Sequence, residues 1–169
     1  MSIGSSLLPE FDQEAEATRS VLERIPEEKL DWRPHEKSMP MARLAGHIAE
    51  LPGWTSAILE QDELDMAPPD GPTYEPVVAE SVAEILSLFD ENMAGARERI
   101  GAVTDEALLQ PWSLLRAGET LFSAPRIGVL RRMILNHLIH HRGQLTVYLR
   151  LVGAAVPSTF GPTADEPGF

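Results

Sequence analysis

Cysteine is absent from the 169-residue sequence. A chain without cysteine forms no disulfide, offers no thiolate ligand to zinc and has no cysteine nucleophile. Any thiol chemistry carried out by this protein would therefore use the thiol of a small-molecule cosubstrate. Hydrophobic residues make up 43% of the chain, which is enough apolar material to build a folded core.

Basic residues are also scarce. The chain has 14 lysines and arginines against 26 acidic residues, which gives a formal net charge of −12 at pH 7. Nucleic acids and anionic membrane surfaces bind proteins through basic patches, and a field of this sign repels them. We therefore expect neither nucleic acid nor a membrane among its partners.

Long apolar runs are missing as well. No stretch approaches the roughly 20 residues that a membrane-spanning helix requires. The opening residues, MSIGSSLLPEF, lack the basic start and apolar centre of a signal peptide. These features predict a cytoplasmic protein.

Four segments carry apolar residues at intervals of three and four, the spacing that places them on one face of a helix. The predicted helices run roughly over residues 6–25, 41–62, 82–103 and 125–152. Pro52 predicts a kink in the second helix, because proline removes a backbone hydrogen bond. With no convincing sheet, the pattern predicts an all-α fold, a four-helix bundle that forms a single domain over residues 1–169.

The residues before the last predicted helix show a pattern typical of strands. The stretch WSLLRAGETLFSA, residues 112–124, indicates a small hairpin. Ser123 is the expected N-cap of the last helix and Pro125 its first residue, while Gly153 is the expected stop. Residues 154–169 are rich in proline and glycine and predict a coil.

Charge is distributed unevenly between the first and last helices. The first is acidic and the last is basic, so the two either pack side by side or present two unrelated solvated faces. In the last helix, Arg142 is expected to pair with a carboxylate of the first. Gly143 costs helix stability, and close approach of a neighbouring helix would compensate for that cost.

Three histidines occupy positions that point towards the core. His137 and His141, in the stretch NHLIHHRGQL, are one helical turn apart, so their side chains lie on one face. His47 lies on the inward stripe of the second helix. Three imidazoles from two helices can converge on one metal ion and leave a coordination position open, as in catalytic sites.

The alternative interpretation is that these are core histidines satisfied by hydrogen bonds, and the HxxxH motif alone does not decide between the two. A di-iron carboxylate site is excluded, because it needs Glu-x-x-His pairs and the residue three positions before each histidine is leucine or isoleucine. The sequence also lacks a phosphate-binding glycine loop, a Gly-x-Ser-x-Gly elbow and a dinucleotide fingerprint.

Four further residues are candidates around this site. Glu50 either assists catalysis or orients a ligand, the alternative being a solvated or ion-paired carboxylate. Gln144 either hydrogen-bonds a ligand on the metal or bridges two helices. His140, on the neighbouring face, is interpreted as a packing, supporting or interface residue, and His35 as a surface histidine in a loop.

Three blocks of the sequence resemble the DinB-like family of metalloenzymes. They are IPEEKLDWRPHEKSMPMARLAGHIAELPGW, NHLIHHRGQLTVYLRLVG and VPSTFGPTADE, in the family's order and spread over nearly the whole chain. The HxxxHRGQ block is the most specific of them.

The resemblance implies a four-helix bundle that holds a divalent metal, commonly nickel or zinc, through His47, His137 and His141. It implies a homodimer and no contact with DNA. Relatives of this fold include transferases and isomerases that use low-molecular-weight thiols such as bacillithiol or mycothiol.

The sequence therefore predicts a divalent-metal-dependent enzyme acting on a small molecule. The predicted reaction is transfer of a low-molecular-weight thiol cosubstrate, or hydrolysis, because a metal held by three imidazoles activates a bound thiol or water at neutral pH. The alternative is a non-catalytic helical bundle that binds a metal or ligand.

Overall fold

A computed structural model describes residues 2–167 of the chain. The helices are α1 (Ile3–Leu22), α2 (Met41–Glu50), α3 (Thr55–Glu60), α4 (Val82–Ala102), α5 (Asp105–Leu109), α6 (Arg126–Val129) and α7 (Asn136–Leu151). Two 3₁₀ turns, Glu27–Lys29 and Leu51–Trp54, and one π-helix, Leu130–Leu135, accompany them. The chain is therefore mostly helical.

Predicted and observed helix boundaries agree best for α4, which differs from the expected range by one residue. The helix α1 begins three residues before its predicted start at residue 6 and ends three residues before its predicted end at residue 25. The second predicted helix is divided into α2 and α3 by the 3₁₀ turn that contains Pro52. The predicted kink is therefore confirmed, and its cause is the missing backbone donor of proline.

The last predicted helix is continuous but not uniform. It opens with the single turn α6, widens into the π-helix Leu130–Leu135 and continues as α7. Ser123 lies in a strand, so the predicted N-cap was wrong. Pro125 occupies the N-cap and the helix begins at Arg126, one residue after the predicted start. Gly153 follows the C-cap with φ +79°, which confirms the predicted stop.

A small mixed sheet lies beside the helices, and the expectation of a purely helical fold is corrected in this respect. Its strands are β1 (Glu63–Asp65), β2 (Pro111–Arg116) and β3 (Glu119–Pro125), in the order β1–β2–β3. β2 and β3 form the predicted hairpin, whose two turn residues, Ala117 and Gly118, both have positive φ.

The strand β1 was not predicted and runs parallel to β2. The carboxylate of Asp65 accepts hydrogen bonds from the backbone N–H groups of Ala117 and Gly118, at 3.0 and 2.7 Å. These contacts join a segment with no strand pattern of its own to the turn of the hairpin. The structure of Glu63–Asp65 therefore depends on a contact between Asp65 and a residue 52 positions later in the chain.

The core lies where the long helices meet. α1 packs against α4 and α7, and α2 packs against the same two helices. Fully buried apolar side chains from all four fill the space between them, among them Phe11, Ile48, Phe89 and Leu145. Burial of these stripes is the main favourable contribution to folding.

Opposite charges meet where α1 packs against α7, as the first of the two sequence alternatives predicts. Arg142 lies 2.8 Å from the carboxylate of Glu14 and both side chains are buried. Arg131 and Glu10 form an exposed pair at 3.2 Å.

The expected close approach of another helix at Gly143 was wrong, because a Cβ atom there would meet nothing within 4 Å.

The segment after Gly153 contains no helix or strand up to residue 167, and its last two residues lie outside the described part. Ion pairs of Arg24 with Glu166 and of Arg150 with Asp165 hold it against α1 and α7. Among residues 2–167, every helix is too short or too polar to span a lipid bilayer.

Candidate metal centre

The three histidines singled out in the sequence lie together. Each of His47, His137 and His141 offers one ring nitrogen, and these nitrogens all lie within 4.8 Å of one another. The ring centroids are 4.6 to 5.1 Å apart. α2 supplies His47, and α7, packed against it, supplies the other two.

The π-helix before α7 determines which residues face the core at this point. Buried positions are five apart across it, from Val129 to Ile134 and from Leu130 to Leu135. This step matches the i→i+5 hydrogen bonding of a π-helix. Beyond it the α-helical spacing resumes, and His137 and His141 follow one turn apart.

The ring of His47 is oriented by Glu50, which lies three residues later on the same helix. The His47 Nδ1 atom lies 2.6 Å from Glu50 Oε1, and the carboxylate is only 6% exposed. An ionised carboxylate accepts hydrogen bonds, so His47 donates from Nδ1. In the neutral form of this ring, the lone pair is then on Nε2.

Glu50 accepts from four donors in all: His47, the Tyr74 hydroxyl at 2.5 Å, the Val77 backbone N–H at 3.2 Å and the Arg43 guanidinium at 3.4 Å. Burial acts to raise the pKa of Glu50, but the hydrogen bonds outweigh it and the pKa is lowered. The pKa of Tyr74 is raised by burial and by its bond to Glu50. Glu50 is thus a fixed negative charge beside the histidines.

His141 also has a partner at its second ring nitrogen, since His141 Nδ1 lies 2.7 Å from Gln144 Oε1. The Nε2 atoms of His137 and His141 face each other at 2.9 Å. That distance suits an N–H···N hydrogen bond when one ring carries its proton on Nε2, and it suits two ligands of one cation when both rings carry their protons on Nδ1.

Protonation of the rings is disfavoured. Burial, followed by the neighbouring histidines, lowers the pKa of His137, and burial together with the charges of His137 and His47 lowers the pKa of His141 to about 4. Both rings are neutral at pH 7, and neutral imidazole is the form that binds a metal. A donor set of three imidazole nitrogens, with Glu50 bonded to the second ring nitrogen of His47 and Gln144 to that of His141, fits a divalent ion such as zinc or nickel.

The candidate catalytic residues contact the histidines and not the space between them. Glu50 and Gln144 both bond to Nδ1 atoms, so they position the candidate ligands. His140 is exposed with its ring 4.8 Å from that of His141, and His35 lies apart in a loop, where its Nδ1 accepts from the Lys37 N–H.

Sequence reasoning did not place Arg43, Tyr74 or Val77 in this network. Arg43 lies four residues before His47 and was detectable from helical spacing. Tyr74 and Val77 come from a connection without regular structure, and nothing in their sequence indicates a contact with Glu50.

A groove with a volume of about 390 Å³ opens beside His137. It is lined by Phe122, Arg132, Met133, Asn136, His137 and His140. We call it the Arg132 groove. His137 belongs both to this groove and to the histidine cluster, so a small molecule in the groove lies next to the candidate metal.

Known proteins of similar sequence and structure share this architecture. A protein of Bacillus subtilis strain 168 called uncharacterized protein YrdA is 26% identical over 159 residues, which is 94% of this chain and 89% of that protein. The crystal structure of a DinB-like protein from Bacillus cereus ATCC 10987 matches with a TM-score of 0.71 and 24% identity, covering 94% of this chain and 98% of that one.

Two further structures show the same fold at lower identity. A DinB-like protein from Bacillus subtilis, YjoA, matches with a TM-score of 0.66 and 18% identity over 95% of this chain and 99% of that one. A mutant of a mycothiol-dependent maleylpyruvate isomerase matches with a TM-score of 0.55 and 8% identity over 90% of this chain and 62% of that one. The profile of the DinB family matches residues 1–167, and the chain therefore belongs to the DinB family.

Proposed function

We propose that this protein is a divalent-metal-dependent enzyme whose metal is held by His47, His137 and His141. One observation carries the proposal: one ring nitrogen from each of the three histidines lies within 4.8 Å of the other two, and Glu50 and Gln144 bond to the second ring nitrogen of His47 and of His141. A divalent ion bound by the three nitrogens would explain why three imidazoles from two helices gather at one point of the bundle.

A divalent ion at this centre would lower the pKa of a bound water or thiol and so supply a nucleophile at neutral pH. The chain's own groups set the conditions for this chemistry. Glu50 contributes one negative charge beside three neutral rings, so a bound dication keeps a net positive charge and favours an anionic fourth ligand. The helices α2 and α7 fix the ring positions through packing.

The reaction we propose is transfer of a low-molecular-weight thiol, with hydrolysis as the competing reaction of the same centre. One comparison supports a thiol: a protein of this fold is a mycothiol-dependent isomerase. Because the chain has no cysteine of its own, the thiol would be that of a cosubstrate. The metal we propose is zinc or nickel.

Metal content tests the site. Wild-type protein purified without a histidine tag should contain close to one divalent ion per chain, and His141→Ala should lose it. His140→Ala is the matched control, because it removes an exposed neighbouring imidazole that lies outside the cluster. Equal metal in wild type and His141→Ala would show that the ligand assignment is wrong.

Activity tests the reaction. A panel of low-molecular-weight thiols with model electrophiles, and a parallel panel of ester and amide substrates, should be assayed with and without a chelator. We expect conversion in the thiol panel that stops on chelation and returns with zinc or nickel. Rates that do not respond to the chelator would favour a non-catalytic binding protein.

We also propose that the protein acts as a homodimer in the cytoplasm on a small-molecule substrate, as the family resemblance implies. Sedimentation equilibrium should give twice the chain mass of 18.6 kDa. A single species at the chain mass would rule out the dimer.

A further inference from the structure

The Arg132 groove contains positive and neutral groups and no carboxylate. Its polar lining consists of one guanidinium, one amide and two imidazoles, together with the apolar Phe122 and Met133. The chain has a net charge of −12, so the charge of this groove is opposite in sign to that of the chain as a whole. A metal bound at the adjacent histidines would add positive charge at the same place.

Arg132 makes a cation–π contact in this groove. Its guanidinium carbon lies 4.8 Å from the centre of the Phe122 ring. A contact with an aromatic ring uses none of the guanidinium N–H groups as hydrogen-bond donors to oxygen, so they stay available for an anion. Within residues 2–167, Arg132 has neither an ion pair nor a side-chain hydrogen bond, whereas the adjacent Arg131 pairs with Glu10 at 3.2 Å.

Two further polar side chains continue the same face. Asn136 and His140 follow Arg132 at intervals of four residues, all three are exposed, and all three line the groove. Their spacing places neighbouring side chains about 6 Å apart on the helix surface. An anion at Arg132 therefore has an amide and an imidazole N–H next to it.

We propose that Arg132, flanked by Asn136 and His140, binds the carboxylate of a small molecule whose other end reaches the metal. The inference rests on the proposed metal site and names the substrate class for it. A carboxylate fits because the guanidinium edge binds it with two parallel hydrogen bonds. Arg132 and His137 line the same groove, so one small molecule in it can contact both the guanidinium and a metal held by His137.

The carboxylate belongs either to the thiol cosubstrate or to the second substrate. Cobalt(II) loaded into the protein separates these sources without an activity assay. A bound thiolate gives a sulfur-to-cobalt absorption band, and titration of that band gives a dissociation constant. The thiol probes are 3-mercaptopropionate and 4-mercaptobutyrate, each compared with the mercaptoalcohol of the same chain length.

A second pair of probes represents a substrate that is not a thiol. The hydroxamate of succinic acid carries a free carboxylate and butyrohydroxamate does not, and both perturb the visible bands of cobalt on binding. We expect the carboxylate form to bind about tenfold more tightly than its neutral partner in at least one of the two probe families. The probe type that shows the preference, thiol or hydroxamate, identifies the source of the carboxylate.

The variants Arg132→Gln and Arg131→Gln separate a specific contact from general charge. Each removes one positive charge from adjacent exposed positions of the same helix. Arg132→Gln should abolish the preference for the carboxylate, and Arg131→Gln should retain it. Equal affinities for charged and neutral probes in both families, or equal losses in the two variants, would overturn the inference.

Failure of the proposed function would look different. If wild-type protein took up no cobalt, the metal site itself would be refuted. If cobalt bound but no probe reached it, the open coordination position that the proposed function requires would be refuted. Neutral thiols and hydroxamates that bind well, with no advantage from a carboxylate, would leave the metal site intact and refute only the role of Arg132.

Discussion

Glu50 is the residue on which the metal centre depends most, apart from the three histidines. It is buried, and four donors reach it from two parts of the chain, α2 and the connection between β1 and α4. A carboxylate that accepts from the Nδ1 atom of a metal-binding histidine fixes the ring and increases its basicity. Glu50 therefore acts on the metal through His47.

We predict that Glu50→Gln lowers the affinity for zinc about 10- to 100-fold, because the ring of His47 loses its ionic partner. Competition with a chromophoric chelator measures the change. Glu60→Gln is the control, since it removes the same charge from an exposed pair with Arg99. Equal zinc affinities for the two variants would show that Glu50 does not support the site.

His141 makes the stability of the metal-free protein depend on pH. Its pKa is about 4 in the folded chain, mainly because of burial, against about 6.5 in an unfolded chain. Between these values the unfolded state binds more protons, so the free energy of unfolding must fall as the pH decreases from about 6.5 to 4.

We predict that His141→Ala reduces this pH dependence over the same window. Urea unfolding in the presence of a chelator, at several pH values from 4.5 to 7, measures the free energy. Identical slopes in the variant and the wild type would show that His141 has no such role.

At the scale of elements, α1 and α7 are joined by a buried ion pair. Arg142 and Glu14 lie 2.8 Å apart and are 3% and 5% exposed as residues. Arg142 also donates to the hydroxyl of Thr18. Two charges removed from water in this way stabilise the fold only while both are present.

We predict that Arg142→Met lowers the free energy of unfolding by about 3–5 kcal/mol, because it leaves the carboxylate of Glu14 buried without its partner. Arg131→Met removes an exposed pair at the same interface and should cost less than about 1 kcal/mol. Urea unfolding compares the two. The double variant Glu14→Leu with Arg142→Met should recover much of the loss, and a single-variant loss no larger than that of Arg131→Met would contradict the prediction.

The connection between β1 and α4 is fixed to α2 by close backbone contact. A Cβ atom at Gly46 would lie 2.9 Å from the carbonyl oxygen of Val77, whose N–H donates to Glu50. Glycine at this position therefore permits the approach that completes the Glu50 network.

We predict that Gly46→Ala destabilises the protein by about 1–3 kcal/mol, because the added methyl group displaces the backbone at Val77. It should also weaken zinc binding. Gly143→Ala is the control: its methyl group meets open space on a helix, so the variant should be more stable by up to about 1 kcal/mol. Thermal and urea unfolding measure both changes. If the two substitutions changed the free energy of unfolding in the same direction, this account would be contradicted.

At the scale of the whole molecule, the candidate metal centre joins α2 to α7 across the bundle. A ligand that binds only the folded state stabilises it according to its concentration relative to its dissociation constant. Metal binding and global stability are therefore coupled.

We predict that zinc or nickel at about 100 times its dissociation constant raises the free energy of unfolding by about 2.7 kcal/mol and raises the Tm accordingly. A thermal melt with and without the metal measures this. His141→Ala should show no increase and His140→Ala should show the full one. An equal increase in both variants would place the binding elsewhere on the protein.

The local part of this architecture was predictable from sequence. Helical spacing placed His137 and His141 on one face, put Glu50 one turn from His47, and located the stop at Gly153. These features depend on residues within a turn or two of each other, so they can be derived from the geometry of a single helix.

Non-local contacts account for what the sequence could not predict. The π-helix at Leu130–Leu135 has an apolar pattern that fits an ordinary helix equally well, and β1 exists because Asp65 binds the amides of a turn 52 residues away. The low helix propensity of glycine suggested that Gly143 lies where another helix packs closely. In the structure the space beside Gly143 is open.

The sequence by itself determined the amphipathic helices and the identity of the three imidazoles, because periodicity and residue chemistry are properties of short segments. Tertiary packing decided that one ring nitrogen from each of the three histidines converges, that Tyr74 and Val77 reach Glu50, and that Arg132, which forms no ion pair within residues 2–167, lies in the groove beside His137. Distances between residues far apart in the chain are set only when the whole core closes, so these features exist only in the folded molecule.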